Sequence, residues 1–276
     1  MTLRDGKAPI IVSAAFDGGN IECIHAESAD NIELKIRKDN DSDFCQWFYF
    51  RVSGVRGRPC TLRIVNAHEA TYTDGWQDYR AVASTDRQNW TRIDTSFDGR
   101  VLTLSHTPST DAIYFAYFAP YSMERHADLV ARCLTSPFVH HDVLGQTIDG
   151  QDIDRLVVAS DAKSSRTAWI IARQHPGETM AEWWMEGFLN RLLDANDPVA
   201  RKVREKITFH IVPNMNPDGS RRGHLRTNAV GCNLNRAWQS PSMEKSPEVY
   251  VTRNAMELTG VDFCLDVHGD EGLPYN

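Results

Sequence analysis

His175 and Glu178 stand three residues apart with Pro176-Gly177 between them, and His268 closes a short apolar run much further along the chain. Two imidazoles and one carboxylate with a fourth position left open form the donor set of a catalytic zinc site. Nitrogen and oxygen donors without sulfur accept other divalent metals as well, and zinc suits this mixture best. A tight Pro-Gly turn lets the imidazole and the carboxylate aim at one point. The pattern alone arises cheaply, because His268-Gly269-Asp270-Glu271 is a second H-x-x-E in the same chain. In the plainer reading His175 caps a strand and Glu178 sits at the positive end of a helix. Between the ligand candidates, residues 224–238 form an unusually polar stretch containing Arg226, Asn233, Asn235 and Arg236. Such side chains hold a carboxylate through paired hydrogen bonds, or they form an ordinary solvated loop.

Ligands of open α/β sheets bind beyond the carboxyl ends of strands, so strands should precede these clusters. Apolar runs at 167–173, 206–212 and 263–267 meet that requirement. The spacing predicts helices over 178–194 and 247–258, and a hairpin of 139–144 with 152–158 turns around Gly145 and Asp149-Gly150. Strands alternating with helices imply an α/β fold with a parallel or mixed sheet. Upstream, β-branched and aromatic runs at 32–36, 46–52, 61–66, 101–105 and 113–118 are separated by turn formers. They imply an antiparallel β-sandwich, a module that packs, binds or shields. The expected organisation is a sandwich domain over 1–125 and, over 126–276, the N-terminal part of an α/β catalytic domain. The boundary is placed within 121–134.

Composition narrows the classes. With 276 residues, 41% hydrophobic and 24% charged, the chain can bury a sizeable core. A net charge of −7 argues against a broad nucleic-acid-binding surface. No stretch approaches the roughly 20 apolar residues of a membrane span, and the apolar run 8–16 is short for a secretory signal. Six scattered cysteines without a C-x-x-C pair read as reduced and mostly buried, in keeping with a soluble cytoplasmic protein. Several conspicuous residues take bland roles: His140 and His141 as edge polar groups, His210, Trp183 and Trp184 as core, Trp47, Phe48 and Tyr49 as sandwich packing, and Asp218 as a turn cap.

In order along the chain stand HPGE (175–178), PNMNPDG (213–219), GHLRTNAVGCNLNRAW (223–238), SPE (246–248) and DVHGD (266–270), preceded by QWFYFRV (46–52) and YFAYFAPYS (114–122). Together these motifs resemble the zinc metallocarboxypeptidases, and specifically the cytosolic carboxypeptidase branch with its N-terminal β domain. The resemblance implies one Zn²⁺ per chain on His175, Glu178 and His268, with water in the open position. It implies that Arg226 polarises the scissile carbonyl and stabilises the oxyanion, and that Asn235 and Arg236 grip a terminal α-carboxylate. The implied partner is a peptide or protein C-terminal tail, with no nucleic acid and no membrane.

Two departures stand out. Asn233 replaces the family's aspartate partner of the first zinc histidine, which removes the charge that raises ligand basicity. The family's general-base glutamate and capping tyrosine lie well C-terminal to the third ligand, whereas the sequence ends at Asn276. The 276 residues are therefore expected to be a fragment or a truncated remnant, without appreciable peptidase activity of their own. Neither Glu248 nor Glu271 matches the position of the base. Two other functions are compatible with the metal triplet. One is a related zinc amidoacid deacylase, against which the sandwich and the Asn235-Arg236 pair argue; the other is a catalytically silent metal-binding interaction module.

Overall fold

The computed structural model describes residues 8–159 and 166–270. It divides into two compact units, one formed by the chain up to Pro120 with 222–225 and Asp270, the other by 121–221 and 226–269.

The first unit holds ten strands: β1 (Ile11–Ser13), β2 (Glu22–Ser28), β3 (Asn31–Lys35), β4 (Tyr49–Ser53), β5 (Cys60–Ile64), β6 (Val82–Ser84), β7 (Thr91–Arg92), β8 (Asp94–Phe97), β9 (Leu102–His106) and β10 (Ala112–Ala116). They form two five-stranded sheets, β1-β4-β10-β6-β7 and β2-β3-β5-β9-β8. Period-two alternation buries one face: Ile32 and Leu34 are fully buried between Asn31, Glu33 and Lys35. His106 of β9 meets the Phe115 ring of β10 edge-on at 6.3 Å, which joins the two sheets. One expectation is corrected: β3 and β5 pair in parallel, with Ile32 opposite Leu62. A parallel pair needs a crossover, and here the chain makes it by passing through β4 in the other sheet. The apolar run 8–16 contributes the edge strand β1, paired with β4. Trp47, Phe48 and Tyr49 are buried as expected, although 46–48 precede the strand. Segment 222–225 belongs to this unit, where the Leu225 amide donates to Asp39 at 2.6 Å and Asn20 donates to the Gly223 carbonyl at 2.8 Å.

The second unit opens with helix α1 (Met123–Leu134), capped by Ser122. The division between the units at Pro120 and Tyr121 falls at the start of the 121–134 window, and a cut at 125 would fall inside the helix. Its buried residues His126, Leu129, Val130 and Cys133 follow helical spacing, a signal masked by their mixed chemistry. Then come β11 (Val139–Gln146), β12 (Asp152–Val158), β13 (Arg166–Ala172), α2 (Met180–Leu192), α3 (Pro198–Arg204), β14 (Ile207–Val212), α4 (Pro217–Arg222), α5 (Pro247–Thr259) and β15 (Phe263–Val267). The sheet order is β11-β12-β14-β13-β15. β13 runs parallel to both neighbours, and β12 runs antiparallel to β11 and β14, so the sheet is mixed. Central β13 is apolar on both faces, as a doubly covered strand must be. Ala168, Ile170 and Ala172 pack with Leu129, Met185 and Leu189 from α1 and α2, whereas Trp169 and Ile171 pack with Val249 of α5.

His210 is buried, stacked on Trp169 at 4.9 Å, and burial pushes its pKa down to about 4. His141 sits on edge strand β11, and Asp218 holds a turn through the Thr147 hydroxyl and the Asp149 amide. Trp184 departs from its core assignment: it is 42% exposed and stacks on Phe188. Cys45, Cys60 and Cys133 are buried, but Cys23 and Cys264 are exposed, and none of the six is paired among the described residues. No helix of the described residues is long and apolar enough to cross a membrane.

Candidate metal centre

Adjacent parallel strands β13 and β15 end side by side, with Ala172 opposite Val267. The chain beyond β13 delivers His175 and Glu178 in a turn closed by the Glu178 amide donating to the His175 carbonyl at 3.1 Å. The chain beyond β15 delivers His268. Ligating atoms of all three residues lie within 4.8 Å of one another. His175 and Glu178 are 1% and 2% exposed, so water competes little for their polar atoms.

Ring orientation fits a divalent cation. His175 Nδ1 lies 2.7 Å from Glu178 Oε1, and His268 Nδ1 lies 2.8 Å from Glu178 Oε2. On the far sides, His175 Nε2 faces Asn233 Oδ1 at 3.2 Å, and His268 Nε2 faces Asp266 Oδ2 at 2.9 Å. All four ring nitrogens therefore face oxygen acceptors, yet a neutral imidazole carries only one N–H. With the protons on Nε2, both Nδ1 lone pairs point at the Glu178 carboxylate. A dication between them resolves that conflict, and outer partners on the second nitrogen are the usual means of fixing a ligand's tautomer. Burial alone would raise the pKa of Glu178, but the His175 and His268 hydrogen bonds and the Gly269 amide hold it down at about 2. The hydrogen bonds to Asp266 and Glu178 push His268 up to about 10. Both directions express one demand, positive charge between carboxylates.

The polar stretch is brought to the same place. Arg226 Nη1 is 3.8 Å from Glu178 Oε1, with its side chain 15% exposed. Asn233 caps the short turn Leu234–Arg236, its Oδ1 accepting from the Asn235 amide at 3.2 Å while also facing His175. One amide oxygen thus ties His175 to the Asn235-Arg236 pair. Asn235 is half-buried and Arg236 exposed, with the latter donating to the Asn235 carbonyl at 3.2 Å. Glu248 lies elsewhere, fully buried and accepting from Asn228, with burial pushing its pKa up to about 7.

Sequence reasoning missed the supports. Asp266, in β15 two residues before His268, is one such support, and a lone aspartate in FCLDV is the available signal. Its Oδ2 also accepts from Gln174 at 2.5 Å, Trp238 donates to Gln174 Oε1 at 2.8 Å, and Asp266 Oδ1 has no partner among the described residues. Gly219 shows why PNMNPDG ends in glycine: a Cβ there would stand 2.4 Å from Pro176 Cγ and 2.4 Å from the Thr227 carbonyl oxygen.

Comparison with known proteins agrees with this geometry. Sequence profiles of two families match the chain, the cytosolic carboxypeptidase N-terminal domain over residues 12–118 and zinc carboxypeptidase over residues 128–256. Cytosolic carboxypeptidase 4 of Mus musculus is 30% identical over 311 aligned residues, covering 94% of this chain and 28% of the relative. The chain thus spans less than a third of that relative's length. The crystal structure of a metallo-carboxypeptidase from Burkholderia cenocepacia superposes with a TM-score of 0.94 at 49% identity, over 97% of this chain and 72% of the other. The metallo-carboxypeptidase of Pseudomonas aeruginosa in complex with (2-guanidinoethylmercapto)succinic acid gives 0.93 at 44% identity, over 96% and 71%. The chain belongs to the zinc carboxypeptidases, a family of hydrolytic peptidases, in its cytosolic carboxypeptidase branch.

Proposed function

We propose that this chain carries the metal-binding and carboxylate-recognising part of a zinc carboxypeptidase that removes C-terminal residues from peptides or protein tails. The observation that carries the reading is the convergence of His175, Glu178 and His268 within 4.8 Å, with Arg226 beside Glu178. His175 and His268 would hold one zinc ion through Nδ1 and Glu178 through its carboxylate. When bound, the ion supplies Lewis acidity to a water and to the scissile carbonyl. Asn233 and Asp266 keep the ligand rings oriented through their Nε2 atoms. Arg226 presents a fixed guanidinium where a carbonyl oxygen gains negative charge. Asn235 and Arg236, side by side on one turn, pair with the terminal carboxylate of the chain being shortened, which restricts cleavage to chain ends. The succinic acid derivative held by the Pseudomonas aeruginosa relative carries carboxylates of the kind this pair would grip. The β-sandwich, which ends by Pro120, precedes this site along the chain as a separate domain, and unpaired cysteines together with relatives named cytosolic support a cytoplasmic location.

Zinc content after dialysis and release of C-terminal residues from blocked dipeptides, measured on the full-length protein, test the reading. Wild type should retain one equivalent of zinc, His175→Ala and His268→Ala should lose it, and turnover should require a free rather than amidated C-terminus. Zinc retained by both variants would refute the ligand assignment. Zinc binding without turnover of any blocked dipeptide would refute the peptidase.

A further inference from the structure

Behind the metal centre lies a chain of buried charges that no step of the proposed reaction uses. Arg173 is 2% exposed and has φ 55°, a left-handed conformation that is strained for a non-glycine residue. Its groups reach both ends of the ligand set. The backbone amide donates to the Val267 carbonyl at 3.3 Å, immediately before His268. The guanidinium Nε donates to the Pro176 carbonyl at 3.1 Å, between His175 and Glu178. Nη1 donates to the Tyr121 carbonyl at 2.7 Å and to Glu182 Oε2 at 2.6 Å.

Glu182, fully buried on α2, is saturated by Arg173 and Asn214 on Oε2 and by His126 Nδ1 at 2.6 Å on Oε1. His126 Nε2 donates to Asp154 Oδ2 at 3.0 Å, and Asp154 Oδ1 accepts from His141 at 2.7 Å. Burial alone would depress His126, but Asp154 and Glu182 push its pKa up to about 9. Cationic Arg173 and His126 thus alternate with the carboxylates of Glu182 and Asp154 behind the ligand turn. A carboxylate held by three protein donors and closed off from solvent does not meet a substrate, so this chain acts by holding geometry.

We propose that Arg173, locked by Glu182 and His126, is the positioning residue that sets the spacing between the His175–Glu178 turn and His268. Buried outer partners of metal ligands hold a site's geometry at the level of tenfold to a hundredfold in affinity. A residue bonded to the backbone on both sides of the metal site should act comparably. The inference rests on these three residues being the metal ligands.

The test measures zinc Kd by chelator competition, the visible spectrum of the Co²⁺-substituted protein and the apo Tm, for wild type, Arg173→Lys, Glu182→Gln, His126→Gln, Leu189→Ala and His175→Ala. Lysine cannot make the guanidinium's three contacts at once, and glutamine at 182 keeps shape without charge. Both are expected to weaken zinc binding about tenfold and to alter the cobalt spectrum, with His126→Gln between them and wild type. Leu189→Ala opens a cavity in the same helix without touching the charges, and should lower Tm while leaving zinc affinity and the cobalt spectrum unchanged. Equal loss of affinity in Leu189→Ala at matched Tm would reduce the effect to general stability and overturn the inference. Wild-type affinity in Arg173→Lys and Glu182→Gln, with zinc lost in His175→Ala, would overturn it while sparing the metal site. Zinc retained by His175→Ala would overturn the ligand assignment itself.

Discussion

Asn233→Asp isolates the charge of one outer partner with almost no change in shape. The His175 Nε2 to Asn233 Oδ1 contact is 3.2 Å, and His175 is 1% exposed. A neutral hydrogen bond contributes about 1 kcal/mol net, and one to a charged group about 1.5–3. Asn233 is only half-buried, which favours the lower end. The gain is then about 0.5 kcal/mol, or roughly twofold in zinc Kd. Asparagine and aspartate cap helical turns equally well, so the turn carrying Asn235 and Arg236 should persist. Chelator competition at one pH on wild type, Asn233→Asp and Asn233→Ala gives the answer. Aspartate should tighten zinc about twofold, and alanine, which loses the whole bond of about 1 kcal/mol, should weaken it about fivefold. An aspartate variant no tighter than wild type, beside an alanine variant unchanged, would show that position 233 does not tune the metal site.

Other outcomes follow from the same geometry. Arg236 is exposed, so Arg236→Ala should cost about 1 kcal/mol for ligands with a free C-terminal carboxylate and nothing for their amides; inhibition constants of matched acid and amide ligands on the full-length protein decide it. His126, facing Glu182 and Asp154 and raised from 6.5 to about 9, contributes stability that is fully present below pH 6.5 and lost as pH rises through 9. That contribution is on the order of 3 kcal/mol, so urea midpoints of wild type and His126→Gln should converge between pH 6.5 and 10, and parallel curves would refute it. Gly219→Ala should destabilise by about 1–3 kcal/mol, because a Cβ would meet Pro176 and the Thr227 carbonyl; an unchanged Tm and zinc content would show that the 213–219 loop yields freely.

The convergence of His175, Glu178 and His268 was legible because tight turns leave little freedom: once β13 and β15 are neighbours, residues just beyond their ends must meet. The α/β alternation was legible for a related reason, since an apolar run such as 168–172 allows only a buried strand. Helix α1 was not, because its buried stripe includes His126 and Cys133, and a histidine there makes sense only beside Glu182 and Asp154. The parallel pairing of β3 with β5 was hidden as well, because strand direction depends on where the intervening chain goes and not on local pattern. Arg173 resembled the end of a strand. Its φ and its three guanidinium acceptors arise from tertiary contacts that no spacing encodes.

Asparagine at 233 acquires a second meaning when charges around the site are counted with zinc bound. The carboxylates of Glu178 and Asp266 balance the ion, and Arg226, 3.8 Å from Glu178, leaves the centre one positive charge in excess. An aspartate at 233 would cancel that excess. On the proposed reading the centre would trade part of its hold on the metal for a field that favours anions, and both a terminal carboxylate and a developing oxyanion are anions. Asn233→Asp should therefore move two quantities in opposite directions, tightening zinc while weakening anionic ligands. Because Asn233 also caps the turn that carries Arg236, the loss for anionic ligands should grow at low ionic strength, where exposed charges are least screened. If both affinities rise together, the charge at 233 acts only through the His175 ring, and the field argument fails.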